Sequence, residues 1–477
     1  MKKESLSDAL GNVDGRFAEE SAPKKTNKRK WWHLTSAVAA MMAVIIGVGA
    51  VFGTQKGAMI VAEAHAIVEA NYPETVKYPK NVDRFGFPDG DYHAWRNAKD
   101  ENAKYYGAGK TLDSFIGKTA AEFLGDAEGK NRIYSPINVY MALCMLAEIT
   151  GGSSRAQILD LIGAKDIDAL REQAYSVWRA NYSDDGAVTS ILANSLWLDG
   201  GINYNEQTLK KVAESYFASS YSGEMGSAEY TEMLKSWLSK QTGGLLDDMI
   251  DDIELSPETV IALASTIYFR AKWESEFSKI DTKQAIFHGA NGDDEVDFMN
   301  QNIWYGQYYY GEKFSATSKS LEGSGEMYFI LPDEGVDVEE LFSDSEALAF
   351  ISRSKNETPS KEIRINLSVP KFDVDSKIDL AKGLCELGVT DVFDLGKSDF
   401  TPLTTDTKAY VSKAEHGARV AIDEEGVIAA AYTALVMVGA AEPPQDEIDF
   451  VLDRPFIFVL TGIDGLPLFI GVVNTVK

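Results

Sequence analysis

The stretch "TVIALASTIYFRAKW", residues 259–273, restricts the fold more than any other part of the chain. It carries no charge from Thr259 to Phe269, and apolar residues fall on both of its alternating sets. In a strand, alternate residues point to opposite faces, so this one is expected to be covered on both faces and to have a neighbour on each edge. "TSILANSLWL" has the same character. Two such strands predict the interior of a large sheet, and the helices that must cover it are also legible. "SPINVYMALCMLAEI" has Pro136 just inside its start and no charge before Glu148, which describes a helix buried on nearly all sides. "TLDSFIGKTAAEFLG" places Leu112, Phe115, Ile116, Ala120, Phe123 and Leu124 on one helical face. "NEQTLKKVAESYF" is helical with Asn205 as its cap, and "RPFIFVLTGIDGLPLFIGVVN" is a hairpin around residues 462–465. The class is mixed α+β. These patterns run from Thr111 to Lys477 without a low-complexity break, so they are read as one domain.

The N-terminus carries a different signal. Lys24, Lys25, Lys28, Arg29, Lys30, Trp31 and Trp32 precede an uncharged run from Leu34 to Gly53, long enough to cross a bilayer. Residues 1–33 are expected to be a basic cytoplasmic segment and 34–53 a transmembrane anchor, with the rest exported. The rival is a cleavable signal peptide, because Val48, Gly49 and Ala50 offer small residues at a cut site. Residues 54–110 form an extracellular spacer to which the sequence assigns no role, and "MIVAEAHAIVEA" within it has helical spacing.

Several functions are disfavoured. With 73 acidic against 46 basic residues and a net charge of −27, the chain repels phosphate backbones, so nucleic acid is not an expected partner. Five scattered histidines and the two cysteines, Cys144 and Cys385, form no metal-ligand motif, and both thiols are expected to be buried and free. No cofactor is expected. "YGAGKT" ends like a phosphate loop, but Lys104 stands where the first glycine belongs. The carboxylates Asp247, Asp248, Asp251, Asp252 and Glu254 are spaced as a solvated helical face rather than a calcium loop. A hydrolase lacks any nucleophile–base pair in the sequence.

One run remains unexplained by these classes. Between the acidic leader Asp423-Glu424-Glu425 and Pro443-Pro444 lie fifteen uncharged residues, Val427 to Ala441. They are too few for a second membrane span, and they read as a strand covered on both faces or as a buried helix.

Taken in order, "NRIYSPINV", "GGSSRAQIL", "ANSLWL", "WLSKQTGGLLDDMI", "IYFRAKWESEF", "MYFILPDEG", "VPKFDVDSKIDLAKGLCELGVTDVF", "VSKAEHGARVAIDEEG" and "FVLDRPFIFVL" resemble the serpins over residues 111–477. The resemblance implies a serpin domain: a large central β-sheet, two further sheets, about eight or nine helices and an exposed reactive-centre loop. It further implies a monomeric inhibitor, not an enzyme, whose loop of residues 424–445 is cut by a serine protease. The acyl-enzyme is then trapped as the loop inserts into the central sheet.

By that resemblance Glu424, Glu425, Gly426, Val427, Ala429, Ala430 and Ala431 form the hinge. Val427, Ile428 and Tyr432 depart from its usual threonine, glutamate and small residues. Ala440 precedes the reactive bond and Ala441 follows it, with Gly439 and Ala441 as other candidates for the residue before the cut. Small side chains there suit an elastase-like or subtilisin-like protease. Ser135, Asn138, Ser265 and His416 match the gate called the shutter, with a serine and an asparagine exchanged, and Trp273 matches the tryptophan of the breach at the sheet's upper end. A non-inhibitory serpin that binds a ligand or partner is the alternative. The expected place is the extracellular face of the plasma membrane, or the medium after cleavage.

Overall fold

The computed structural model describes residues 40–49, 66–79, 90–244, 246–352, 358–427, 444 and 446–476, with the backbone alone for 40–49, 90 and 91. The first elements are β1 (Ala40–Gly49), β2 (Ala66–Val68), α1 (Gly90–Asn102), α2 (Asp113–Leu124), β3 (Arg132–Tyr134), α3 (Pro136–Ile149), α4 (Gly152–Ile162) and α5 (Ile167–Asn181). Next come β4 (Ser183–Asp184), β5 (Thr189–Asp199), α6 (Glu206–Tyr216), β6 (Ala218–Gly223), α7 (Ala228–Gln241), α8 (Asp247–Ile250) and β7 (Thr259–Lys272). The chain continues through β8 (Lys283–Gly289), β9 (Gly292–Tyr310), β10 (Phe314–Ser320), β11 (Glu326–Pro332), α9 (Ser345–Ile351), β12 (Ser360–Pro370), β13 (Phe372–Asp379) and α10 (Leu380–Glu386). It ends with β14 (Tyr410–Ile422), β15 (Gly426–Val427), β16 (Glu447–Val451), β17 (Phe456–Thr461) and β18 (Pro467–Val473).

Two nine-stranded sheets organise these elements. The central one has the order β13-β14-β1-β7-β5-β6-β2, with β15 also on β7 and β4 on β5. The other runs β16-β12-β9-β10-β11-β17-β18-β3, with β8 on β9. Its 19-residue β9 pairs with both β12 and β10, which joins into one surface the two further sheets implied by the resemblance. As the apolar runs required, β5 and β7 are interior and paired with each other from Thr189↔Arg270 to Leu198↔Ile261.

Helix starts follow their caps. Ser135 Oγ accepts from the Asn138 N–H at the start of α3, and the Asn205 side chain accepts from the Gln207 and Thr208 N–H groups at the start of α6. Every residue of α3 is buried, including Glu148. Arg171 grips that carboxylate at 2.6 and 2.8 Å and the Tyr216 hydroxyl donates to it at 3.0 Å, which offsets the cost of burying the charge.

Three expectations change. Residues 66–68 of the stretch read as helical are a strand, β2, on the edge of the central sheet, where pairing with β6 supplies backbone partners that a short isolated helix lacks. Cys385 is half-buried and Cys144 buried; both are free. The described part of the spacer is docked on the body: the Tyr72 ring stacks at 5.5 to 6.3 Å from Trp178, Tyr182 and Phe217. Aromatic burial outweighs the Pro- and Asp-rich composition that reads as a linker.

Of the segment read as an anchor, Ala40–Gly49 is extended, lying antiparallel between β14 and β7. Among the described residues, no helix is long and apolar enough to cross a membrane.

Candidate functional site

The site is built where β7 ends. Trp273 follows that strand, 1 % exposed, and its indole Nε1 donates to the Asp423 carbonyl at 2.9 Å while its N–H donates to the Glu425 carbonyl at 3.1 Å. Phe277 N–H donates to the Glu424 carbonyl at 2.9 Å, so three successive carbonyls of the acidic leader are held. The Asp423 carboxylate turns back to accept from the Glu425 and Gly426 N–H groups at 2.8 and 3.2 Å. Burial raises its pKa, against the lowering effect of those two donors.

Glu424 is buried, which alone would raise its pKa. Lys371 at 2.7 Å and the Thr282 hydroxyl at 2.8 Å overcome that and leave it lowered, so it is an anion in place. Glu425 pairs at the surface with Lys279 at 2.6 Å. Gly426 and Val427 then pair with Lys272 and Ala271 as β15, with Gly426 at φ 153°.

Lower in the sheet, β1 fills the gap between β7 and β14, and Val44 faces Ser265 on one side and His416 on the other. Those two residues belong to a buried polar cluster. Ser135 N–H donates to His416 Nε2 at 3.1 Å, and the Ser265 hydroxyl donates to Asn138 Oδ1. The Nε2 lone pair is therefore occupied and the imidazole is neutral, with its proton on Nδ1. Complete burial pushes its pKa down to about 3. His416 Nδ1 and Asn138 Nδ2 find no partner among the described residues.

The structure thus brings Ser135, Asn138, Ser265 and His416 together, and gathers Trp273 with Glu424, Glu425, Gly426 and Val427. Ala429, Ala430, Ala431, Ala440 and Ala441 lie outside the described residues.

The model of the family "Serpin (serine protease inhibitor)" matches residues 111–476. The chain belongs to the serpins. Serpin-ZX of Arabidopsis thaliana is 27 % identical over 363 residues, covering 72 % of this chain and 92 % of that protein. Alpha-1-antitrypsin of Meriones unguiculatus is 28 % identical over 357 residues, covering 72 % and 84 %. Among solved structures, the thermophilic serpin tengpin in its native state superposes with a TM-score of 0.68 at 24 % identity, over 87 % of this chain and all of that one. Human thyroxine-binding globulin complexed with its hormone gives 0.67 at 20 % identity, over 79 % of this serpin and all of the globulin. By descent the chain belongs to a family of protease inhibitors rather than of enzymes.

Sequence reading missed Lys319. Its ammonium lies 4.3 Å from the Phe277 ring and 5.5 Å from the Trp273 ring, and it donates to the Ser275 carbonyl and Gln301 Oε1. Burial lowers its pKa to about 7. A lysine between Thr317 and Leu321 in the alternation of β10 and its end was the available signal. The clamp on Glu424 was also missed, since Thr282 and Lys371 are ordinary surface residue types far away in sequence.

Proposed function

We propose that this serpin is a suicide-substrate inhibitor of extracellular serine proteases. The protease attacks within the loop of residues 424–445, forms an acyl-enzyme with Ala440, and is carried across the molecule as the loop enters the central sheet. Gly439 and Ala441 are the neighbouring choices for the acylated residue. The observation that carries this reading is β15: Gly426 and Val427 already run antiparallel along β7, at the head of the path an inserting strand would follow. The polar cluster of Ser135, Asn138, Ser265 and His416 fits the role of a gate, because it links β7, β14 and the start of α3 across that path. Small apolar residues at the cut suit an elastase-like or subtilisin-like target and offer nothing to the acidic pocket of a trypsin-like one. Action as a monomer at the extracellular face of the plasma membrane, through residues 34–53, or in the medium after their removal, completes the proposal.

The test is a panel of serine proteases acting on the full chain inserted into vesicles. We expect a covalent complex with elastase or subtilisin on a denaturing gel, none with trypsin, and a cut after Ala440 by mass spectrometry. A loop cut without a complex by every member would overturn the proposal.

A cavity of about 870 Å³ favours a second reading, that of a ligand-binding serpin. Tyr78 and Trp95 of the spacer wall it together with Tyr328 and Phe350, and Glu274 and Glu322 also line it, which suits a cationic aromatic ligand. Its mark would be a melting temperature raised by such compounds and unchanged by loop cleavage.

A further inference from the structure

The path just described is occupied. Carried on along β7 in the register set by Gly426↔Lys272 and Val427↔Ala271, residue 429 would face Phe269, the residue that Ala40 faces. Each later loop residue through 437 would likewise meet a β7 residue already paired with β1. On the other side, Met41 through Gly47 hold partners on β14 from Arg419 to Lys413 without a break. A backbone group forms one ladder at a time, so β1 and the inserted loop exclude each other. Both segments meet the same requirement, since neither Ala40–Gly49 nor Val427–Ala441 contains a charge.

We infer that Ala40–Gly49 is a built-in plug of the central sheet, and that the chain becomes able to trap a protease when insertion of residues 34–53 into a bilayer withdraws it. This rests on the inhibitory reading above. The plug and β2 are close together on one chain, so the plug's return is intramolecular and favoured by a high effective concentration. A bilayer competes because the uncharged run from Leu34 to Gly53 meets its length requirement of about 20 residues. The ten-residue strand Ala40–Gly49 falls within that run. Withdrawal removes the whole ladder at once, which makes the plug a two-state element. Control is thereby tied to place: a molecule off the membrane would spend its loop as an ordinary substrate, and an anchored one would have the slot free.

The experiment compares three preparations of the full chain: wild type purified without lipid, wild type synthesised into phosphatidylethanolamine–phosphatidylglycerol vesicles, and Ile45→Pro without lipid. Proline within a central strand removes a ladder donor and should expel β1 while leaving the serpin domain unaltered. Amide exchange over residues 40–49 reports the plug directly; elastase addition reports covalent complex and the change in melting temperature. We expect slow exchange and at least tenfold less complex per loop cut for lipid-free wild type than for the other two. Fast exchange over 40–49 in lipid-free wild type would overturn the inference, as would equal complex from all three. Should the plug be released and neither complex nor a gain in melting temperature appear, the inhibitory reading itself falls and takes the plug's role with it. The vesicle preparation keeps the test decisive even where Ile45→Pro folds poorly.

Discussion

Gly426 is where the leader becomes a strand, and it can be little else. A β carbon there would lie 2.5 Å from the Ala271 carbonyl oxygen and 2.7 Å from Lys272 Cα, both backbone atoms that cannot turn aside. Gly426→Ala is expected to cost about 1–3 kcal/mol, read as a lower urea midpoint with an unchanged slope. An unmoved midpoint would show that the leader is not seated on β7 in solution. His416 gives a second prediction at this scale. Burial lowers its pKa from 6.5 to about 3, so below pH 6.5 the unfolded chain binds a proton that the folded chain refuses. Its contribution to stability is complete above that pH and is lost toward pH 3, by up to about 1.4 kcal/mol per pH unit. Comparing urea midpoints at neutral and mildly acid pH should show that His416→Gln flattens part of this slope. If the slope survives the substitution intact, the imidazole is not buried as a neutral group.

At the scale of elements, the clamp on the leader sets how readily the loop can move. Glu424 is held by Lys371 and Thr282, and a hydrogen bond between charged groups contributes about 1.5–3 kcal/mol. Where breaking that clamp is part of the insertion barrier, Glu424→Ala should speed covalent complex formation about tenfold, since 1.4 kcal/mol is a factor of ten in rate. Stopped samples on a denaturing gel measure it, and an unchanged rate would place the clamp outside the barrier. Elements differ in how far the sequence revealed them. The interior strands β5 and β7 and the buried helix α3 were legible because their apolar runs fit only a two-sided core. The run containing β1 reads as a membrane anchor or signal peptide and not as a strand, because a bilayer and a sheet interior make the same demand, the absence of charge. The buried polar cluster of Ser135, Asn138, Ser265 and His416 was picked out through family resemblance alone. Ser135 and His416 meet across 281 positions, and no local pattern encodes such a pairing. The seat of the leader on Trp273 was equally invisible, being made by main-chain carbonyls that any residue supplies.

For the molecule as a whole, the surprise lies in residues 66–79 and 90–110, whose composition reads as a tether. Beside the stack on Tyr72, Tyr78 N–H donates to the Asp185 carbonyl at 2.7 Å, and Trp95 Nε1 donates to the Asp185 carboxylate at 2.9 Å. Lys99 pairs with the same carboxylate at 3.2 Å and reaches the Gly323 carbonyl at 3.0 Å. Asp185 is buried, which alone would raise its pKa, but Lys99 and the surrounding donors leave it lowered. These described residues therefore belong to the folded body, and they bind the ends of β5 and β10. In the full chain, Tyr72→Ala removes a ring packed against three others and is expected to cost about 3–5 kcal/mol. A mere tether would lose nothing, so the melting temperature separates the two cases, and exchange of the amides in α1 locates the loss. A stable Tyr72→Ala protein with unchanged exchange would return these residues to the role of a linker. A destabilised one would show that this serpin extends its core with a segment that precedes its family domain.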